Sequence, residues 1–119
     1  MALKPFNAVN PIELGATAAD VALLAAGTGE RRQIVNLTLS ENNGSATTVI
    51  DLYDSSDATS ANGKIVETIT LSANETKTSK MVGHSLGSGR QLVAVVTTAA
   101  ISAGWVVAKT TFNSANGSS

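Results

Sequence analysis

The chain has 119 residues, a net charge of −1 and no cysteine. This length fits one domain with one hydrophobic core, and the lack of cysteine excludes a disulfide framework and a thiolate zinc site. Charged residues make up only 14% of the sequence. The sequence therefore lacks the clusters of Lys and Arg that nucleic-acid binders use to contact phosphates. We expect no direct nucleic-acid partner.

The first fifteen residues, MALKPFNAVNPIELG, contain both prolines and show no regular periodicity. Because proline favours extended and turn conformations, we predict an extended N-terminal arm over residues 1–15. A disordered terminus is the alternative. The arm has more apolar side chains than a free tail needs, so we predict that it binds a neighbouring molecule. The predicted contact residues are Pro5, Phe6, Val9, Pro11, Ile12 and Leu14.

Residues 16–27, ATAADVALLAAG, are apolar but are not typical of a targeting or membrane segment. They include Asp20, have no basic flank and are too short to cross a bilayer. We therefore expect no membrane partner and a chain that starts near Met1. Residues 18–26 could form a short helix capped by Thr17 or a strand, and the β-rich remainder of the sequence favours the strand.

Six further segments have the alternating or β-branched pattern of strands. After the first of them, Asn43-Gly44 predicts a tight hairpin turn into a return strand. The polar fourth segment is expected at a sheet edge or at the surface, and the apolar fifth segment at a sheet centre. The six segments cover residues 31–42, 46–54, 64–71, 75–82, 90–98 and 104–112.

Alternation also predicts which side chains of two strands share a face. In the first segment, Val35, Leu37 and Leu39 are expected on the buried face. In the third segment, Ile65, Ile69 and Leu71 are expected on one face.

Turns at intervals of about 8–12 residues predict an all-β fold, an antiparallel β-sandwich or jelly roll of about seven to eight strands. We place the sandwich domain at residues 16–113, after the extended N-terminal arm (1–15). Residues 114–119 form a predicted flexible tail.

Residues 83–87, Gly-His-Ser-Leu-Gly, match the G-x-S-x-G pattern of the nucleophile elbow in serine hydrolases. That elbow requires a helix after the serine, whereas here a β-branched run follows. A catalytic triad also needs a histidine that reaches the serine from elsewhere in the fold, and the single histidine, His84, directly precedes Ser85. We therefore expect no enzyme and no catalytic residue, and interpret the motif as a glycine-rich connection between strands.

Other polar and aromatic residues are weaker candidates for chemistry. Asp51, Asp54 and Asp57 could bind Ca²⁺, but their spacing does not match a calcium loop, which favours solvated acids. We predict no metal and no cofactor. Trp105 and Tyr53 could stack on a sugar ring, although a lone tryptophan is more typical of a core. Arginines could bind acids across a subunit interface or lie solvated at strand ends; these are Arg31, Arg32 and Arg90.

The order of these features resembles small β-sandwich virion structural proteins of tailed bacteriophages, of the capsid decoration (cement) type. The shared pattern is a strand ending in Asn and Gly-Ser, a return strand ending in Leu-Tyr-Asp, an Asn-Glu-Thr turn, a glycine-rich connection and a final pair of strands. In this sequence the pieces lie at residues 42–48, 50–54, 71–76, 86–90 and 92–112.

The resemblance covers about residues 19–113. It implies a non-enzymatic protein that binds and stabilises the shell of the major capsid protein, as a homotrimer, on a virion assembled in the host cytoplasm. Alternatives are a tail, neck or fibre-associated virion protein, and a carbohydrate-binding or adhesin module. The arm departs from the shared pattern, so the resemblance implies no particular attachment residues.

Overall fold

A computed structural model describes residues 7–14, 20–42, 47–98 and 106–116. These residues form nine β-strands and one 3₁₀ turn, Ser60–Asn62, with no α-helix among them. The strands are β1 (Asn7–Leu14), β2 (Asp20–Ala25), β3 (Glu30–Glu41), β4 (Thr48–Ser55), β5 (Gly63–Leu71), β6 (Thr76–Thr78), β7 (Ser85–Leu86), β8 (Gln91–Thr98) and β9 (Val106–Asn116).

The strands form two antiparallel sheets that pack against each other. The first sheet has the order β1-β9-β3-β6, with the short β7 also paired to β3, and the second has the order β2-β8-β4-β5. Most connections cross from one sheet to the other, which gives the strand arrangement of a jelly roll. The predicted β-sandwich fold class is confirmed, with nine strands in the described residues rather than seven to eight.

Aliphatic side chains fill the space between the two sheets. Every strand except β6 contributes at least one side chain with almost no exposed surface. Fully burying such a side chain stabilises the fold by roughly 1.5–3 kcal/mol. The core residues with this degree of burial include Leu14, Leu23, Ile34, Leu37, Leu39, Ile50, Leu52, Leu71, Leu86, Leu92 and Val106.

Several predicted strand positions are confirmed. The ambiguous segment 18–26 contains a strand, β2, and the apolar β8 lies at a sheet centre between β2 and β4. The polar segment 75–82 forms only the short edge strand β6, and β7 was not predicted. The predicted hairpin partner of β3 is wrong, because β4 lies in the other sheet and pairs with β5 and β8. The Asn43-Gly44 turn lies outside the described residues.

A β-bulge in β3 corrects the predicted buried face. The register with β9 slips between Ile34 and Asn36, which leaves Val35 as an extra residue. Because a bulge changes the alternation by one residue, Ile34 joins Leu37 on the buried face and Val35 is only half-buried.

A second bulge, in β5, corrects the face predicted for Ile65. Leu52 lies opposite Glu67 and Tyr53 lies opposite Ile65, so Val66 is the extra residue. Ile69, farther along β5, is buried as predicted, but the slip at Val66 turns Ile65 toward solvent.

β1 corrects the boundary between the predicted arm and the domain. Residues 7–14 are extended, but they pair with β9 at one edge of the first sheet, and Leu14 lies fully buried opposite Val106. The sandwich therefore begins before residue 16. At the other end, β9 extends to Asn116, which lies opposite Glu30, so the sandwich also includes the first residues of the predicted tail.

Candidate functional site

The Gly-His-Ser-Leu-Gly motif lies in the connection from β6 to β8. Ser85–Leu86 form the two-residue β7, and the chain then turns directly into β8. Gly83 and Gly89 have φ values of 92° and 72°, in the left-handed region that favours glycine. The interpretation as a glycine-rich connection is confirmed, because no helix follows Ser85 and the strand–turn–helix geometry of a nucleophile elbow is not formed.

Asp54, at the end of β4, is the centre of an ion-pair cluster with His84 and Arg90. Its Oδ2 lies 2.9 Å from His84 Nε2, and its Oδ1 accepts a hydrogen bond from Arg90 Nε at 2.8 Å. Arg90 Nη2 also donates to the Asp54 carbonyl oxygen at 3.0 Å. Asp54 belongs to the second sheet, whereas His84 leads into β7 of the first sheet. The cluster therefore ties the glycine-rich connection to the opposite sheet.

The Asp54–His84 pair resembles the orienting half of a catalytic triad, but Ser85 does not complete it. Ser85 is exposed, and neighbouring side chains of an extended segment point to opposite sides. Within the described residues, the Ser85 hydroxyl forms no hydrogen bond with His84. The geometry supports a structural role in which Asp54 fixes two positions of the connection, His84 and Arg90.

The three aspartates considered as a calcium site are held by separate partners. Asp51 Oδ1 accepts a hydrogen bond from Thr68 Oγ1 at 2.7 Å, and Asp54 belongs to the ion-pair cluster. Asp57 Oδ1 accepts hydrogen bonds from Thr59 N at 2.9 Å and Thr59 Oγ1 at 2.6 Å. No group of three or more His, Cys, Asp or Glu residues in the described part of the chain is placed to hold a metal ion.

Asp57 organises the turn between β4 and β5. The side-chain hydrogen bond from Thr59, followed by its backbone N–H and then by Asn62, lowers the pKa of Asp57 below its ordinary value. Asn62 Nδ2 donates to Asp57 Oδ2 at 2.6 Å. Because these donors favour the carboxylate form, Asp57 fixes the 3₁₀ turn as an anion.

A buried carboxylate that the sequence did not reveal lies at the end of β3. Glu41 has almost no exposed surface, and its Oε2 accepts a hydrogen bond from the Asn74 backbone N–H at 2.9 Å. Asn74 has a φ of 60°, in the turn between β5 and β6. Glu41 therefore stabilises this turn. Its position beyond the last aliphatic residue of the alternating segment was the only sequence signal.

The residues predicted to bind a partner differ in burial, and some of them lie outside the described residues. Leu14 is part of the core and presents no free contact surface, whereas Ile12 packs against the core and is only partly buried. Pro11 is exposed at the bulge of β1. The backbone of Val9 pairs with Thr110 in β9, and its side chain lies outside the described set. Pro5 and Phe6 lie outside the described residues.

Four of the five remaining sequence candidates lie within the described residues. Arg32 Nε lies 2.9 Å from Glu30 Oε1, and its guanidinium lies 4.5 Å from the centre of the Phe112 ring. Arg90 pairs with Asp54, so both of these partly exposed arginines bind groups of their own chain. Arg31 is exposed, and Tyr53 is half-buried. Trp105 lies outside the described residues.

A shallow groove separates β5 from β6, at the edge shared by the two sheets. Its volume is about 220 Å³, below the roughly 300–1,000 Å³ of most small-molecule sites. Lys77 Nζ donates to the Thr70 carbonyl oxygen at 2.8 Å across this groove, which links its two walls. The hydrogen bond of Lys77 therefore connects β6 of the first sheet to β5 of the second.

No family model matches the chain, and no curated protein matches it at a significant level. A solved structure from Bacillus endospore appendages, described as a family of disulfide-linked pili, is similar, with a TM-score of 0.55 at 13% identity. That alignment covers 96% of this chain and 88% of the other, and shows a shared fold. A structure of infectious bursal disease virus aligns with a TM-score of 0.32 at 11% identity, over 93% of this chain and 30% of the other.

The present sequence contains no cysteine, so the disulfides named for those pili have no counterpart in it. Among the described residues, no helix has the length and apolar character needed to cross a membrane.

Proposed function

We propose that this protein is a non-enzymatic structural subunit of a surface assembly and, more specifically, a capsid decoration protein of a bacteriophage virion. The observation that carries the proposal is the two-sheet jelly roll, a fold that aligns over 96% of this chain with a subunit structure from pili. Jelly rolls recur in viral capsid proteins. Because one fold hosts many functions, the fold alone does not carry the proposal. It also depends on what the ionisable and polar side chains bind.

The polar groups most suited to chemistry stabilise the fold. Asp54, His84 and Arg90 connect the two sheets, and Glu41 and Asp57 stabilise turns. This use of ionisable side chains supports a structural subunit over an enzyme.

The assignment to a virion rests on the sequence resemblance to decoration proteins of tailed phages. Such a protein would bind the major capsid protein and reinforce the shell, with many weak contacts repeated over symmetric copies. The proposed contacts in the N-terminal segment are Pro5, Phe6, Val9, Pro11 and Ile12. A homotrimer remains the predicted oligomer at this attachment site.

A second candidate is a subunit of a filamentous appendage. It is favoured by the fold likeness to the endospore appendage structure, which extends over nearly the whole chain.

Two assays with the full chain separate these candidates. In the first, purified protein is mixed with capsids that lack it and sedimented; saturable binding in a fixed ratio to the major capsid protein supports decoration. In the second, electron microscopy of the protein alone tests for filaments. Filaments without capsid binding would replace decoration with the appendage function, and the absence of both would overturn the structural-subunit proposal.

A further inference from the structure

Two of the three exposed large aliphatic side chains of the described residues lie next to each other on β5. Ile65, Val66 and Val82 have 55%, 38% and 45% of their surface exposed, and they are the large hydrophobic residues so exposed in the described chain. Exposed apolar groups that gather in one place mark interaction surfaces more often than scattered ones do.

The third such side chain, Val82, lies in a segment that bridges the two sheets. The backbone of this segment is bound to β3, through Ser79 N and Gly83 N. Its other contacts reach the carboxylates of Glu67 and Asp54 in the second sheet. Val82 is therefore not counted with the exposed pair on β5.

β5 is also a terminal strand. It ends the order β2-β8-β4-β5, and its outer edge has no partner strand among the described residues. A terminal strand presents backbone N–H and C=O groups that can pair with another strand. The exposed pair Ile65-Val66 thus lies on a strand with an open edge.

The bulge at Val66 places the two charged residues of this segment on one face. Residues opposite each other in an antiparallel pair share a face, and Glu67 lies opposite the buried Leu52. Without a bulge, residues 64 and 67 would face opposite sides. The slip at Val66 instead puts Lys64 on the same side as Glu67, with Ile65 on the other.

We propose that β5 pairs antiparallel with β5 of a second copy of this chain, about a twofold axis between Ile65 and Val66. The segment Lys64-Ile65-Val66-Glu67 is complementary to itself in this register. Lys64 of each copy lies opposite Glu67 of the other, and Ile65 lies opposite Val66.

The charges of Lys64 and Glu67 favour this register and favour a second copy of the chain over an unrelated strand. A shift of one residue places Lys64 opposite Thr68 or Val66 and removes both ion pairs. Among the described residues Lys64 has no ion-pair partner, whereas Glu67 keeps acceptor capacity beside its bonds to the 79–80 segment. Lysine and a bulge usually protect an edge strand from pairing, so an unrelated strand would meet an unpaired charge here.

This twofold contact goes beyond the proposed function. The contact would join two copies into a dimer. If the chain also forms a trimer through a separate contact, it would join two trimers into a hexamer. Failure of capsid binding would therefore leave the self-pairing intact, and failure of self-pairing would leave capsid binding intact.

Charge reversal tests the pairing. The Lys64→Glu and Glu67→Lys proteins are each expected to self-associate roughly tenfold or more weakly than the wild type, because two attractive pairs become repulsive. An equimolar mixture of the two restores association by forming unlike pairs. Lys109→Glu, the same change at an exposed lysine of β9, is the matched control and associates like the wild type. Native mass spectrometry and sedimentation measure these species.

Cysteine cross-linking tests the register without altering either charge, and the absence of native cysteine makes it specific. The Ile65→Cys and Val66→Cys proteins are mixed and oxidised. Because opposite residues come within disulfide distance and diagonal ones do not, the mixed disulfide is expected to form faster than the disulfide of the Ile65→Cys protein with itself.

A Lys109→Cys protein measures random cross-linking, and thermal melts confirm that each variant is folded. Three results would each overturn the proposal. The first is a wild-type chain that does not form twofold dimers, and the second is a folded pair of charge variants that fails to associate when mixed. The third is a mixed disulfide that forms no faster than the control disulfide.

Discussion

Leu14→Ala tests whether the N-terminal strand belongs to the folded domain. Leu14 has no exposed surface and lies opposite Val106 at the end of β1. Removing three carbon atoms loses about 2.4 kcal/mol of transfer free energy, and the cavity left behind raises the cost, so we expect about 3 kcal/mol, within the roughly 2–5 kcal/mol of such changes. A domain of this size has a stability of about 5–15 kcal/mol, so the variant should remain folded at 25 °C.

Thermal and chemical denaturation measure this loss. At about 4 °C per kcal/mol, the melting temperature should fall by roughly 12 °C. Glu13→Ala, an exposed position on the same strand, is the control and should change stability by no more than about 0.5 kcal/mol. A Leu14→Ala protein that melts like the wild type would show that β1 is not part of the cooperative unit in solution.

Four further substitutions test the core, the connection and the turns. Leu37→Asp places a charge in the core at a cost of several kcal/mol, so no cooperative melt is expected; a soluble variant with a normal melt would refute the buried face of β3. Ser85→Ala should leave stability within about 0.5 kcal/mol, and any esterase activity lost with it would contradict the structural interpretation. Asp54→Ala should lower stability by about 1 kcal/mol, since it removes a partly exposed ion pair with Arg90 and a hydrogen bond with His84; unchanged exchange of amide protons in the 81–90 connection would contradict its role. The lowered pKa of Asp57 contributes stability that is present above the unfolded pKa of about 3.9 and is lost as pH falls through the lower folded pKa. Asp57→Asn should therefore reduce the pH dependence of stability below about pH 4, and an unchanged acid titration would refute the hydrogen-bonded turn.

Strand positions could be predicted from the sequence because alternation and β-branched runs report the local period directly. β3, for example, begins and ends within one residue of its predicted limits. The faces of two strands could not be predicted, because a single extra residue reverses the alternation. Nothing in the local sequence distinguishes Val35 or Val66 as that residue, since the slip depends on the partner strand.

The candidate site was predictable only in the negative. The sequence has one histidine and no helix-forming segment after Ser85, which argued against a nucleophile elbow. In the structure, strands and not a helix follow His84. The positive arrangement around Asp54 depends on residues 30 and 36 positions away, His84 and Arg90, which only the crossing of the chain between sheets brings together. The same limit applies to β1, whose pairing partner lies at the other end of the sequence.

The most direct test of the proposed function is the stoichiometry of this protein in purified particles, measured by quantitative mass spectrometry against the major capsid protein. If the protein decorates the capsid, its copy number should stand in a fixed ratio to the copy number of the major capsid protein, since each symmetric copy of the shell offers the same binding site. Its absence from particles, or its presence in only a few copies per particle, would contradict decoration of the capsid.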